Sequence, residues 1–396
     1  MIGSMIQSGE ENLDGITRIA FVQCFGISML GGGARILRAL LKDAPVSWKS
    51  FATGISPPTP AFGTELHVPS RPFLGRLEHS RLQPLLERIA PIFEQYFQHR
   101  LEQELRAFGA TTVHSIPHGT DFISAWRAAR RLGLRFFVSI HDDLLDTLPR
   151  DRAGRRALNF FPSIWRKAEG RFVISKPLGD EYCSRYGEHS YEIITDGAEV
   201  FHPPRARVPG RFRIYFMGLF HLRYEPNLDC LCQAVEIIKR QHPSLAISII
   251  LRCGSLRKGF DFGEAQVSIL PFGSELDVEK DLNEMDLLYM PLPFGIENEA
   301  FVRFSLSTKM VSYLCSGIPI LFHGPKGSAA HDLLSEANAA FAFHSIDSSK
   351  LADFILKIIE NPSISNTHVS NSLRLARSRF SLKDQRAKFW RKITEQ

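Results

Sequence analysis

The sequence lacks most of the features that would assign it quickly to a class. No apolar run in its 396 residues approaches the length needed to cross a bilayer. The opening stretch MIGSMIQSGEENLDG has neither a basic flank nor an apolar core, so it does not read as a signal peptide. The six cysteines show no paired-ligand spacing; Cys230 and Cys232 are one residue apart and the others stand alone among apolar neighbours. Buried thiols and a cytoplasmic location are the expectation. There is no internal repeat and no low-complexity tract. The formal net charge of +6 is spread over both halves, which argues against a nucleic-acid-binding arm.

One basic cluster does stand out. PRDRAGRR (Pro149 to Arg156) is followed by Trp165, Arg166 and Lys167. Cations beside an aromatic could touch anionic headgroups, making the inner face of a membrane a candidate peripheral surface. A solvated helix face is the competing interpretation.

What the chain does contain is an alternation of β-rich runs with helical patterns, the signature of parallel α/β sheets. RIAFVQCF, WKSFATG, TTVHSIP, RFFVSIHDD, RFVISK and YEIITDG read as strands of a first half, with ARILRALLKD and the stretch Leu82 to Phe108 as helices. FHPPRARVPGRF (Phe201 to Phe212) has no apolar period and reads as a linker. The pattern then restarts with RIYFMG, LAISIIL, VSILPF, DLLYMPL and IPILFHG. Two doubly wound sheets are predicted, over residues 1–203 and 204–380, and 381–396 as a last helix returning to the first domain. Ile55 to Phe73 carries too much Pro and Gly for a regular element and reads as a binding loop or lid.

In such sheets ligands lie beyond the carboxyl ends of the strands, and four exits carry unusual chemistry. GISMLGGG follows the first strand, and its glycines allow backbone amides to approach a ligand beside a helix N-terminus. It is not the dinucleotide fingerprint, because Ile36 stands where the third glycine belongs. SIHDD places His141, Asp142 and Asp143 at a strand end, where they could bind sugar hydroxyls or move a proton. The alternative is that an aspartate caps the next helix. Asp-Asp is not the Asp-x-Asp of metal-dependent sugar-nucleotide enzymes, and no metal is expected. GLFHLRYEPN brings Arg223 to a loop before a helix, where a guanidinium could clamp a diphosphate. In SLSTKMVSYLCSGIPIL, a short core helix opens on Ser305, Ser307, Thr308 and Lys309. One hydroxyl suffices as a cap, so the surplus marks an anion site. The DFG at Asp261 to Gly263 has no accompanying kinase motif and reads as a turn.

Three of these stretches resemble a known family. IITDGAEVFHPP is similar to the interdomain passage of GT-B glycosyltransferases, and YFMGLFHLRYEPNLDCLCQAV to the opening of their nucleotide-binding domain. DLLYMPLPFG and FSLSTKMVSYLCSGIPILFHGP resemble the core signature of retaining glycosyltransferase family 4, polysaccharide-biosynthesis type. The resemblance covers most of residues 135 to 325 and is strongest from 190.

It implies two Rossmann-like domains facing a cleft, a UDP- or GDP-linked sugar as co-substrate, and no other cofactor. The implied acceptor is a saccharide or lipid-linked saccharide. Carried over by position, Gly32, Ser305, Ser307, Thr308, Lys309 and Arg223 would hold the donor diphosphate, with His141, Lys309 and Arg223 catalytic. Phe272 would lie near the base, Arg252, Glu297 and Glu299 near the nucleotide or its sugar, and Asp142 and Asp143 on the acceptor side. Family members carry two glutamates eight positions apart; here Phe304 and Ser312 stand there. That departure keeps a non-catalytic binding protein open as an alternative, and a sugar-nucleotide epimerase behind it.

Overall fold

The computed structural model describes residues 17–54, 64–70, 83–254, 256 and 259–395. The opening stretch and most of the Ile55 to Phe73 segment lie outside them.

The first sheet has strands β1 (Arg18–Gln23), β2 (Ser47–Ala52), β3 (Glu65–His67), β4 (Thr112–Ile116), β5 (Arg135–Ile140), β6 (Gly170–Val173) and β7 (Glu192–Ile193). Their spatial order is β3-β2-β1-β4-β5-β6-β7, with every pairing parallel. Helices α1 (Gly32–Leu41), α2 (Gln83–Phe108), α3 (Phe122–Leu132), α4 (Leu144–Thr147), α5 (Arg152–Lys167) and α6 (Lys176–Tyr186) alternate with them. β1 and β5 are buried almost throughout, the reading expected of strands covered on both faces. α1 presents Ile36, Leu37, Leu40 and Leu41 to the sheet at helical spacing.

The second sheet repeats the plan. Strands β8 (Arg211–Met217), β9 (Ala246–Arg252), β10 (Val267–Leu270), β11 (Leu287–Pro291), β12 (Ile320–His323) and β13 (Phe341–Phe343) lie in the order β10-β9-β8-β11-β12-β13. The helices are α7 (Glu225–Gln241), α8 (Glu275–Leu282), α9 (Glu299–Phe304), α10 (Thr308–Cys315), α11 (Ala329–Glu336) and α12 (Ser348–Glu360). In each sheet the strand order reverses beside its first strand, and that crevice is where ligands bind in doubly wound sheets. The DFG stretch is indeed a turn, with Gly263 N–H donating to the Asp261 carboxylate at 2.9 Å.

Two segments cross between the domains side by side. The linker leaving β7 meets the junction between α13 (Pro362–Arg379) and α14 (Leu382–Thr394) through Ala198 N–H to Phe380 O at 2.8 Å and Leu382 N–H to Ala198 O at 3.1 Å. The crossing is tight: a Cβ on Gly197 would lie 2.6 Å from Leu382 Cα. α14 then packs on the first domain. Phe389 stacks on Phe21 of β1 with ring centroids 6.3 Å apart, and Trp390 Nε1 donates to Leu40 O at 2.9 Å. Phe389, Trp390 and Ile393 belong to the same buried cluster as β1, β4 and β6, so the C-terminal helix completes the N-terminal core.

Replacing Phe389 by Ala should therefore destabilise the first domain by about 3–5 kcal/mol. Chemical denaturation followed by circular dichroism measures this, and a loss below about 1 kcal/mol would mean α14 merely rests on the surface.

Candidate functional site

The cleft is built around two helix N-termini, one from each domain. α1 begins at Gly32 and α10 at Thr308, and neither has an acidic residue in its first turn. They run close together: a Cβ on Gly32 would meet Thr308 Cγ2 at 3.4 Å, and further along Arg35 donates to Ser312 Oγ at 2.9 Å. Because residue numbers advance together on both helices, their N-termini lie at the same end of the contact. Orphan N–H groups and two helix dipoles there favour an anion. The three glycines serve different needs. Gly31 has φ 136°, Gly32 faces Thr308 at a distance a Cβ would tolerate, and a Cβ on Gly33 would lie 2.9 Å from His118 Cε1.

The cations converge on the same region. Lys309 lies in the first turn of α10, its ammonium 4.1 Å from the Phe216 ring centroid and 5.2 Å from that of Tyr224. A Cβ on Gly218, at the exit of β8, would lie 3.7 Å from its Cε. Among the described residues no carboxylate pairs with it, and burial pushes its pKa down to about 7. Arg223 lies over Phe301 at 5.1 Å and pairs across the cleft with Asp146 of α4 at 3.1 Å.

The N-terminal side is less charged. His141 follows β5, is 8% exposed, and is held well below the usual imidazole pKa by burial and by His118 and His114. Asp142 accepts a hydrogen bond from Ser305 at 3.0 Å, and burial raises its carboxyl to about 6. Asp143 is the N-cap of α4, accepting from Leu145 N–H, and it takes Arg185 in an ion pair at 2.9 Å. It is buried and structural, the capping alternative, and does not face an acceptor.

Other expected residues sort by what already holds them. Ser307 is the N-cap of α10 but makes no side-chain cap bond, so its hydroxyl and that of Thr308 stand at the helix mouth. Ser305 precedes the helix and points instead to Asp142. Arg252 is not a replacement cation for the nucleotide: Asp281 holds its guanidinium through two nitrogens, and Pro271 O takes a third bond at 3.0 Å. The sequence could not show this, because Asp281 comes from α8, 29 residues away. Phe272 is 45% exposed and its ring covers Gly254 at the end of β9, a free aromatic face beside the cleft. Glu297 and Glu299 are exposed; Glu297 accepts from Asn298 at 3.2 Å and Glu299 lies in the first turn of α9. Among the described residues neither bonds to α10. Trp165 is fully buried, its Nε1 donating to Gly187 O at 3.0 Å, so it is no surface anchor for the basic cluster.

Four residues at the cleft were not read from the sequence: Arg35, His118, Asp146 and Asp196. Arg35 binds both Ser312 and, at 2.8 Å, Asp196 of the linker, joining three parts of the chain. Its spacing of three from Gly32 was the available signal, since such residues share a helix face.

The fold is GT-B. The chain is similar to sucrose-phosphate synthase from Thermosynechococcus elongatus with a TM-score of 0.65 at 14% identity, over 94% of this chain and 97% of that one. It is similar to Anabaena HepE in complex with UDP and glucose (0.67, 16%, 96% and 100%). It is also similar to WaaG, a glycosyltransferase involved in lipopolysaccharide biosynthesis (0.67, 12%, 96% and 100%). No protein-family model matches the sequence, nor does any curated protein.

The lowered pKa of Lys309 gives a signed prediction. A bound anion stabilises the protonated amine and raises its pKa, so binding above pH 7 takes up a proton. Pyrophosphate affinity should fall as pH rises from about 7 to 9, by up to about tenfold per unit. Calorimetry at pH 8 in two buffers of different ionisation heat reads the uptake, and none should remain in Lys309→Met.

Proposed function

We propose that the protein is a glycosyltransferase that moves a sugar from a nucleotide-sugar donor to a saccharide acceptor in polysaccharide or glycoconjugate synthesis. The observation that carries this is the paired N-termini of α1 and α10, with the unpaired, desolvated Lys309 at their mouth. Such a site suits a leaving nucleoside diphosphate better than a neutral ligand. UDP is the favoured nucleotide, because HepE, of the same fold, has been captured with UDP and with UDP-glucose.

In the proposed reaction the bond from the anomeric carbon to the diphosphate oxygen breaks and the acceptor oxygen bonds to that carbon. The acceptor proton passes to the departing phosphate. Amides of the two helix N-termini, the Ser307 and Thr308 hydroxyls, and Lys309 meet the charge that develops on the leaving group. Arg223 adds a guanidinium once it exchanges Asp146 for phosphate. Phe272 offers a stacking face to the base. Retention, hexosyl transfer and independence of a metal complete the proposal on the resemblance of the core signature.

The substituted glutamate positions favour a second reading, a non-catalytic binding protein. Phe304 is 2% exposed and packed in the first domain's core, and Ser312 is bonded to Arg35. The two readings part on nucleotide binding and turnover. Calorimetry should show UDP binding weakened roughly tenfold or more, about 1.4 kcal/mol, by Lys309→Ala. Release of UDP from a UDP-sugar should be lost with it. Binding without any turnover on a panel of saccharide acceptors would favour the non-catalytic reading, and no binding of UDP or GDP would remove the transferase reading and leave the non-catalytic one.

We further propose that the acceptor is lipid-linked and reached from an anionic membrane surface. Arg152, Arg155, Arg166 and Lys167 of α5 are exposed, which supports contact through charge alone. Among the described residues no helix is long and apolar enough to span a membrane. Co-sedimentation with phosphatidylglycerol vesicles should be strong at low salt, reduced by Arg152→Glu/Arg155→Glu, and abolished near 1 M salt by screening. Absence of binding at low salt would refute the membrane proposal.

A further inference from the structure

One group in the cleft has no role so far. His118 follows β4, the neighbour of β5, so it and His141 leave adjacent parallel strands at the same end of the sheet. Its backbone N–H turns back to Ile116 O at 2.9 Å, which fixes the residue under the glycine-rich start of α1. The imidazole lies between three groups. Phe25 packs on it with centroids 5.5 Å apart, His141 meets it edge-on at 5.5 Å and 79°, and Gly33 faces its Cε1. A side chain at Gly33 would close this contact, so the third glycine serves the histidine and not the anion.

Among the described residues, both rings hold a nitrogen without a protein partner. His118 Nε2 and His141 Nδ1 are shielded from solvent and unbonded. Buried polar atoms are nearly always satisfied, so two orphans on touching rings ask for a ligand or an ordered water. His114, deeper on β4, also has an unbonded buried nitrogen, Nδ1, but differs in its surroundings. It bonds Ser139 at 2.7 Å and is enclosed by Phe21, Phe172 and Phe389, which makes it part of the core.

The chemistry of the pair selects the ligand. Burial holds His118 down to about 4 and His141 well below its ordinary value, so both rings are neutral at physiological pH. A neutral imidazole offers one N–H donor and one acceptor nitrogen, the complement of a hydroxyl. A phosphate would need donors and positive charge, which the cleft supplies at α1, α10 and Lys309.

We propose that His118, together with His141, seats a hydroxyl of the donor's sugar ring, directly or through one water, and that His118 is a specificity-determining residue of the cleft. This rests on the nucleotide-sugar reading above. It divides the donor between two surfaces, cations and helix N-termini for the diphosphate and a neutral histidine pair for the sugar.

The test is calorimetry with UDP, UDP-glucose, UDP-galactose, UDP-N-acetylglucosamine, GDP and GDP-mannose on wild type, His118→Phe, His118→Asn and His118→Ala. Free nucleotide should bind all four proteins alike. The sugar nucleotide that wild type prefers should bind His118→Phe at least fivefold more weakly, because the ring volume is kept and its polarity removed. His118→Asn should recover most of the loss, and added imidazole should restore His118→Ala. Three results would overturn the proposal: free nucleotide weakened in parallel with sugar nucleotide, no loss in His118→Phe or His118→Ala, or no wild-type preference for any sugar nucleotide over its free nucleotide. A failure of the nucleotide-sugar reading looks different, since wild type would then bind neither UDP nor GDP.

Discussion

The close approach of α1 and α10 is the contact on which the cleft depends. It brings two helix N-termini from different domains to one point, with Gly32 facing Thr308 at van der Waals distance. Like ends of two helix dipoles repel, so the arrangement is unfavourable until something negative lies between them. Lys309 compounds this, because its ammonium is desolvated over two aromatic rings with no carboxylate to offset it among the described residues. The double crossing at Ala198 and Leu382, together with α14 in the N-terminal core, tethers the two domains to each other despite this concentration of positive charge.

The remaining polar groups are sorted by charge. Acidic side chains near the cleft are already engaged: Asp142 by Ser305, Asp143 by Arg185, Asp146 by Arg223 and Asp196 by Arg35. Three of the four are held by a guanidinium, which offsets their repulsion of an entering anion. The uncharged histidine pair lies under the α1 loop, beyond the reach of these ion pairs. In the transferase reading, this separates the part of the donor that carries charge from the part that carries hydroxyls.

Much of this was legible in the sequence. Strand runs such as RIAFVQ and YFM, the glycines after β1 and the hydroxyl-rich entrance to α10 are local signals, and local signals fix elements and their ends. What the sequence hid was partnership. Arg252 and Arg223 look alike as loop-flanking cations, yet Asp281 saturates one and Asp146 holds the other loosely across a cleft. Asp142 and Asp143 are adjacent, yet one reaches the second domain and the other caps a helix within the first. Trp165 sits in a basic stretch but faces inward, because it falls on the apolar side of α5 with Phe161 and Ile164. For Arg252, Arg223 and Asp142 the difference is made by a residue far away in the chain, which no periodicity reveals.

The two substituted glutamate positions gain a meaning from this. Phe304 packs into the N-terminal core and its carbonyl accepts from Ser175 at 3.0 Å, while Ser312 accepts from Arg35. Both positions therefore hold the domains together instead of presenting carboxylates. The other bridges, Ser305 to Asp142, Arg223 to Asp146 and Arg303 to Glu181, are single hydrogen bonds or partly exposed ion pairs. Partly exposed pairs of this kind are worth little individually, and polar interfaces between domains permit relative motion. In the transferase reading, donor must enter and nucleotide leave on every turnover, so a seam that closes without a large apolar surface suits that cycle. The same seam explains why carboxylates could be given up here. With Arg35 bound to Ser312, a direct contact between α1 and α10 stands at the position where the resembled family carries its second glutamate.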